Sequence, residues 1–161
     1  NDSANEYHSV IMGIITFLFC PSLINPIKEF EQHQGRKRID IKFTNAATDR
    51  FFHQILAAPQ TRAINVMVEC KNYTRPVNNP ELDQLSGRFG HQRGFFGFLL
   101  CRVIENKART IASCRDTAAD GRGFMIALDD QDIIQMLQWA GEGRRSELDR
   151  YLHRRFDEIA N

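Results

Sequence analysis

The chain has 161 residues, of which 42% are hydrophobic and 25% are charged, a balance that excludes a disordered polymer and fits one domain with a full core. The formal net charge is only +1, which excludes an overall basic field, so any contact with nucleic acid must depend on local patches. The 4 cysteines lie far apart without zinc-ligand spacing, which favours reduced core thiols in an intracellular protein over disulfides or metal ligands.

The N-terminal segment has the pattern of a buried helix. Ser3 followed by Glu6 has the form of a capping box and predicts a helix that runs to about Phe19. The apolar run over residues 10–24 contains a proline, is shorter than the ~20 residues of a membrane span, and lacks the basic start of a signal peptide. We therefore expect no membrane segment and a cytoplasmic location. Because the chain starts at Asn1 and not at a methionine, we expect a single domain over residues 1–161 that is cut from a longer protein or processed.

Two strands with alternating polarity follow this helix. Residues 27–32 and 37–44 are predicted to pair through a tight turn in which Gly35 takes a positive φ. Side chains alternate between the two faces of a strand. The second strand therefore directs Ile39 and Ile41 into the core and Asp40 to the opposite face.

A third strand carries two more charged groups. A short helix capped by Asp49 is predicted before it, and the strand itself covers residues 64–71. Alternation directs Val68 and Cys70 to one face and Glu69 and Lys71 to the other.

The C-terminal half alternates between helices and apolar strands. Helices are predicted over 81–90 and 107–119 and strands over 95–103 and 124–128. Two terminal helices follow, one capped by Asp130 and one that starts with a second capping-box pattern at Ser146. The first of these helices carries Gln84 and Arg88 on one face. This order predicts an α/β domain with a mixed central β-sheet and helices on both faces.

The two polar strand faces suggest a metal site. If the second and third strands are neighbours, then Asp40, Glu69 and Lys71 converge. Two carboxylates suit a hard cation such as Mg²⁺, which is held by one or two acids together with substrate phosphate oxygens. A lysine beside that ion can position a water and offset phosphate charge. This combination indicates a metal-dependent phosphodiesterase.

The same residues resemble the PD-(D/E)xK nuclease superfamily, and most closely its Mrr-like, type IV restriction branch. Asp40 matches the first acid and Glu69-Cys70-Lys71 matches the acid-x-Lys tripeptide, while Ile39 stands at the position of the motif's proline. The resemblance covers roughly residues 6–128 and implies a restriction-endonuclease-like fold. It also implies a DNA endonuclease that uses Mg²⁺, with Mn²⁺ as an alternative ion, and that acts in a restriction or antiphage defence protein.

The resemblance also implies roles for individual residues. Asp40, Glu69 and the Cys70 backbone carbonyl are the expected metal ligands, and Lys71 is expected to orient the attacking water. Glu6 and Gln84 are expected to support the metal site from a greater distance. Local basic residues are expected to contact double-stranded DNA, and these are Arg36, Lys37, Arg38 and Arg88.

Each of these residues also has a simpler interpretation. Glu69 and Lys71 fit a solvated cross-strand ion pair, the capping box alone explains Glu6, and Gln84 fits an exposed helix position. Arg36, Lys37 and Arg38 fit a solubilising turn, and Arg88 fits an ordinary loop arginine beside a glycine. For the whole protein, the alternatives are a catalytically silent module that binds nucleic acid or a partner protein, and a nuclease that acts on RNA. We expect a homodimer or a larger parent protein as the active assembly.

Overall fold

The computed structural model describes residues 2–32, 34, 37–72, 74 and 76–161. Within these residues, five strands form one sheet in chain order: β1 (Leu23–Gln32), β2 (Lys37–Asn45), β3 (Asn65–Lys71), β4 (Phe96–Cys101) and β5 (Phe124–Leu128). The same ranges contain six helices: α1 (Asp2–Phe19), α2 (Arg50–Ala57), α3 (Asn79–Ser86), α4 (Lys107–Ala119), α5 (Asp130–Gly141) and α6 (Arg145–Ala160).

The sheet is mixed, as the order of elements predicted. The β1–β2 and β2–β3 pairs are antiparallel, whereas the β3–β4 and β4–β5 pairs are parallel. A parallel pair needs a long crossover connection, and α3 and α4 lie in the two crossovers. The predicted fold class is confirmed. β2 and β3 are direct neighbours, which is the condition that the predicted metal site required.

Helices cover both faces of the sheet. On one face, the ring of Phe98 lies 6.1 Å from Phe19 of α1, and the ring of Phe96 lies 5.7 Å from Phe51 of α2 and 6.2 Å from Phe156 of α6. On the other face, α3 comes close to β4 at Gly97. A side-chain carbon added to Gly97 would lie 3.1 Å from Leu85 Cδ1 of α3 and 2.7 Å from the Met67 carbonyl oxygen of the neighbouring strand β3. Because both faces are covered, β3 and β4 are buried over most of their length.

The helix starts differ from their predictions. α1 begins at Asp2, so Ser3 lies inside the helix and the predicted Ser3–Glu6 capping box is wrong. Ser146 likewise lies inside α6, which begins at Arg145. The N-cap of α5 is Asp129, whose side chain accepts from the Asp132 backbone N–H, one residue before the predicted position. Serines and acids near a helix start satisfy several alternative cap positions, so sequence pattern alone does not select one.

The helix that carries Gln84 is shorter than predicted. α3 ends at Ser86 and is followed by turns up to an isolated bridge between Gly90 and Gly94. Arg88 therefore lies beyond α3, and the prediction that it shares a helix face with Gln84 is wrong. By contrast, α4 and β5 have the predicted bounds. Among the described residues, no helix combines the length and apolarity that crossing a bilayer would require.

Candidate active site

Asp40 lies where the pairing of β2 with β3 ends. The ladder runs from Thr44–Asn65 to Ile41–Val68. Past this point, the Cys70 backbone N–H donates a hydrogen bond of 2.8 Å to Asp40 Oδ2. The carboxylate thus takes the place of a backbone acceptor on β2. This contact holds Asp40 against the segment that carries Glu69 and Lys71.

Glu69, Lys71 and Gln84 form a closed hydrogen-bonded cluster. Lys71 Nζ donates to Glu69 Oε1 at 2.9 Å and to Gln84 Oε1 at 2.8 Å. The Gln84 amide in turn donates to Glu69 Oε1. Glu69 and Lys71 are two positions apart on β3 and so share a face, and α3 places Gln84 over that face. The side chains of Lys71 and Glu69 are 11% and 1% exposed, so the interpretation as a solvated surface pair is wrong.

The electrostatic environment of Glu69 is unfavourable to its charge. Burial raises the pKa of the Glu69 carboxyl, and the nearby Asp40 carboxylate raises it further, whereas Lys71 and Arg88 lower it. Glu69 Oε2 is buried and has no hydrogen-bond partner among the described residues. Buried polar atoms normally have a partner. A bound cation would offset the repulsion between the Asp40 and Glu69 carboxylates and would give Glu69 Oε2 a partner.

A histidine that the sequence did not single out approaches Asp40 from α1. His8 Nε2 lies 3.7 Å from Asp40 Oδ2, and the two side chains are 14% and 18% exposed. The Cys70 thiol joins this pair, since ligand atoms of His8, Asp40 and Cys70 all lie within 4.8 Å of one another. Chain positions 8, 40 and 70 form no recognisable spacing, so only the fold brings these side chains together.

Glu6 does not reach the acidic residues of the site. It is exposed on α1 and, with Tyr7, Asn72 and Arg102, lines one end of a groove between α1 and α5. Within the described part of the chain, Glu6 makes no hydrogen bond or ion pair with Asp40 or Glu69. Its predicted supporting role therefore stays a prediction without a direct contact behind it.

The predicted basic patch is only partly described. Arg36 and the side chain of Lys37 lie outside the described residues. Arg38 is 57% exposed, and its guanidinium lies 4.0 Å from a carboxylate oxygen of Glu29. Arg88 is half-buried, lies close enough to Glu69 to lower its pKa, and has a buried Nε without a partner among the described residues. Of the four predicted basic residues, Arg88 is thus the one whose nearness to the acidic cluster is established.

Comparisons with known proteins identify the fold that carries this site. No family model matches the sequence, and a search of curated proteins finds no match. Among solved structures, the chain resembles the DNA modification-dependent restriction endonuclease AspBHI, with a TM-score of 0.52 and 18% sequence identity. The chain has a restriction-endonuclease-like fold. The match covers 96% of this chain but 36% of that endonuclease, so the chain spans about a third of its length.

Proposed function

We propose that the chain is a metal-dependent DNA endonuclease domain that hydrolyses phosphodiester bonds. The observation that carries this proposal is the buried Glu69–Lys71–Gln84 cluster beside Asp40, on adjacent strands of a restriction-endonuclease-like sheet. Burial of an acid and a lysine that have no functional role would destabilise the fold, since removing two charges from water costs several kcal/mol per ion.

The residues present fit a hard divalent cation. Asp40, Glu69 and the Cys70 carbonyl would hold Mg²⁺, or Mn²⁺ in its place. Glu69 Oε2, which has no hydrogen-bond partner in the described part of the chain, supports this assignment. When bound, such an ion polarises the scissile phosphate and lowers the pKa of an attacking water. Asp40 and Glu69 belong to neighbouring strands, so their separation is fixed by the sheet and not by flexible loops.

Lys71 is proposed to orient the attacking water and to offset charge that develops on the phosphate. Its amine is held by Glu69 Oε1 and Gln84 Oε1, which leaves little freedom for the side chain to swing away. Gln84 is proposed as a positioning residue, because it contacts both Lys71 and Glu69. Such outer contacts orient the groups that meet metal and substrate.

Double-stranded DNA is the proposed substrate. With a formal net charge of +1, the chain has to bind the phosphate backbone through local groups, and Arg88 beside the cluster, together with Arg36, Lys37 and Arg38, are the proposed contacts. Cutting both strands of a duplex needs two active sites or two visits, so a homodimer or a larger parent protein is proposed as the working form. Its role would be the cutting unit of a restriction or antiphage defence protein.

A plasmid-cleavage assay tests the proposal. In magnesium, the unmodified chain should nick or linearise plasmid, and EDTA, Asp40→Asn or Glu69→Gln should each abolish cutting while circular dichroism shows an intact fold. Asp83→Asn is the matched control, because Asp83 precedes Gln84 on α3 but pairs at the surface with Arg122. Activity that survives Asp40→Asn and Glu69→Gln would contradict the assigned roles. No cleavage of either duplex DNA or RNA by the parent would favour the catalytically silent module.

A further inference from the structure

Three side chains on the α1 side of Asp40 have the composition of a site for a thiophilic metal. α1 supplies the His8 imidazole, β2 the Asp40 carboxylate and β3 the Cys70 thiol. The ligand set of the proposed magnesium site is made of oxygen atoms, whereas this second set is made of nitrogen, oxygen and sulfur. Imidazole and thiolate ligands favour zinc over magnesium, which prefers carboxylate, carbonyl and water oxygens.

The separations between these atoms are close to those that zinc requires. Zinc binds sulfur at about 2.3 Å and nitrogen or oxygen at about 2.0–2.2 Å, so neighbouring ligands of a tetrahedral ion lie about 3.3–3.7 Å apart. His8 Nε2 and Asp40 Oδ2 are separated by 3.7 Å, and Cys70 Sγ lies within 4.8 Å of ligand atoms of both. Three protein ligands would leave a fourth position for water.

The His8 ring also lacks partners that would explain its burial. Its side chain is 14% exposed, and Nδ1 is buried without a hydrogen-bond partner among the described residues. The contact of Nε2 with Asp40, at 3.7 Å, is longer than a hydrogen bond. A buried nitrogen without a partner costs free energy, and a cation coordinated by Nε2 would replace the long contact of that atom with Asp40.

We propose that His8, Asp40 and Cys70 form a second cation site that takes a thiophilic divalent ion such as Zn²⁺. Binding replaces the thiol proton with a sulfur–zinc bond, and the proton leaves to solvent. The site itself does not need the proposed nuclease function. Its effect on cleavage does rest on that function: the two sites share Asp40, so zinc competes with magnesium for this carboxylate and inhibits cutting.

The direct test is metal binding, measured without reference to cleavage. Co²⁺ serves as the probe, because a cobalt–thiolate bond gives a charge-transfer absorption in the near ultraviolet that oxygen ligands do not give, and Zn²⁺ should abolish it by displacement. The variants are His8→Ala and Cys70→Ser. Cys101→Ser is the matched control, since Cys101 is an equally buried thiol at the end of the neighbouring strand β4 and is not part of the trio. Thermal melting of each metal-free variant checks the fold.

Loss of an outer contact to a metal ligand typically weakens affinity about 10–100-fold, so loss of a ligand should weaken zinc binding by at least about tenfold. We expect this loss for His8→Ala, loss of the charge-transfer band for Cys70→Ser, and no change for Cys101→Ser. Glu69→Gln separates the two proposals, since it should abolish cleavage but keep the cobalt–thiolate band. A band that survives Cys70→Ser, zinc affinity unchanged by His8→Ala, or a band lost in Glu69→Gln would overturn the proposal. A chain that binds cobalt in this way but never cuts DNA would contradict the nuclease function alone.

Discussion

Substitution of Lys71 by methionine should destabilise the metal-free protein, because it leaves the buried Glu69 carboxylate without its cation. Glu69 is 1% exposed and accepts from Lys71 Nζ at 2.9 Å. Removing one partner of a buried pair costs about 3–5 kcal/mol. The Gln84 amide still donates to Glu69 Oε1 in the variant, so we expect the lower end, about 3 kcal/mol. For a chain of this size, each kcal/mol lowers Tm by about 2–4 °C, which gives a loss of about 6–12 °C.

The second half of this prediction is a rescue. Replacing Glu69 by glutamine as well removes both charges while keeping the volume and the hydrogen bonding with Gln84, so Lys71→Met with Glu69→Gln should recover most of the lost Tm. The coupling free energy is the change in free energy of unfolding of the double variant minus the sum of the changes in the two single variants. We expect no cleavage by either single variant or by the double variant. Recovery of Tm without recovery of cleavage would therefore separate the loss of stability from the loss of catalysis.

Thermal melts followed by circular dichroism in EDTA at neutral pH measure both effects. Lys42→Met is a suitable control on β2, because the Lys42 ammonium lies 3.8 Å from the centre of the Phe30 ring and such a contact contributes about 0.5–1 kcal/mol. A Tm of Lys71→Met within about 2 °C of the parent, equivalent to less than about 1 kcal/mol, would refute the argument. So would a double variant no more stable than Lys71→Met.

Two further predictions concern DNA contacts and the close packing around Gly97 of β4. Replacing Arg36, Lys37 and Arg38 together by alanine should weaken binding to unrelated duplexes by similar factors. The slope of log affinity against log salt, measured by fluorescence anisotropy, should fall by up to about 3. A loss of affinity confined to one sequence would contradict a contact with the phosphate backbone. Gly97→Ala should destabilise the fold by about 1–3 kcal/mol in urea unfolding, because the added carbon would lie 2.7 Å from the Met67 carbonyl oxygen. Gly141→Ala is the control, because no described atom outside its chain neighbours and its own helix backbone lies within 4 Å of the added carbon. Equal effects of the two substitutions would argue against close packing at Gly97.

The sheet was predictable because its signal is local and repeated. Alternation in β2 and β3 directed Ile39, Ile41 and Val68 to one side of the sheet, and all three are fully buried. The same alternation placed Asp40 on one strand and Glu69 with Lys71 on the next, and β2 and β3 are indeed paired. Helix starts were less predictable, since capping residues such as Ser3 are equally compatible with the interior of a first turn.

Contacts between distant segments carried no sequence signal. The burial of Glu69 depends on α3, which is 8 residues long and places Gln84 over the end of β3. The approach of His8 to Asp40 depends on how α1 packs against the sheet, and no spacing rule connects residues that are 32 positions apart. Sequence analysis therefore named Asp40, Glu69, Lys71 and, through the family resemblance, Gln84, but it predicted neither the cluster geometry nor the histidine.

Asp40 combines two tasks that its position explains. At the end of the β2–β3 ladder, the Cys70 N–H would lack its strand partner, and an unpaired buried donor costs about 1–3 kcal/mol. Asp40 Oδ2 accepts that hydrogen bond at 2.8 Å, so the Cys70 backbone holds the carboxylate in place. An asparagine at position 40 keeps an oxygen acceptor for Cys70 but loses the charge, whereas alanine loses both. Asn is therefore the informative substitution, because a fold that survives it without cleavage assigns the charge of Asp40 to chemistry and the hydrogen bond to structure.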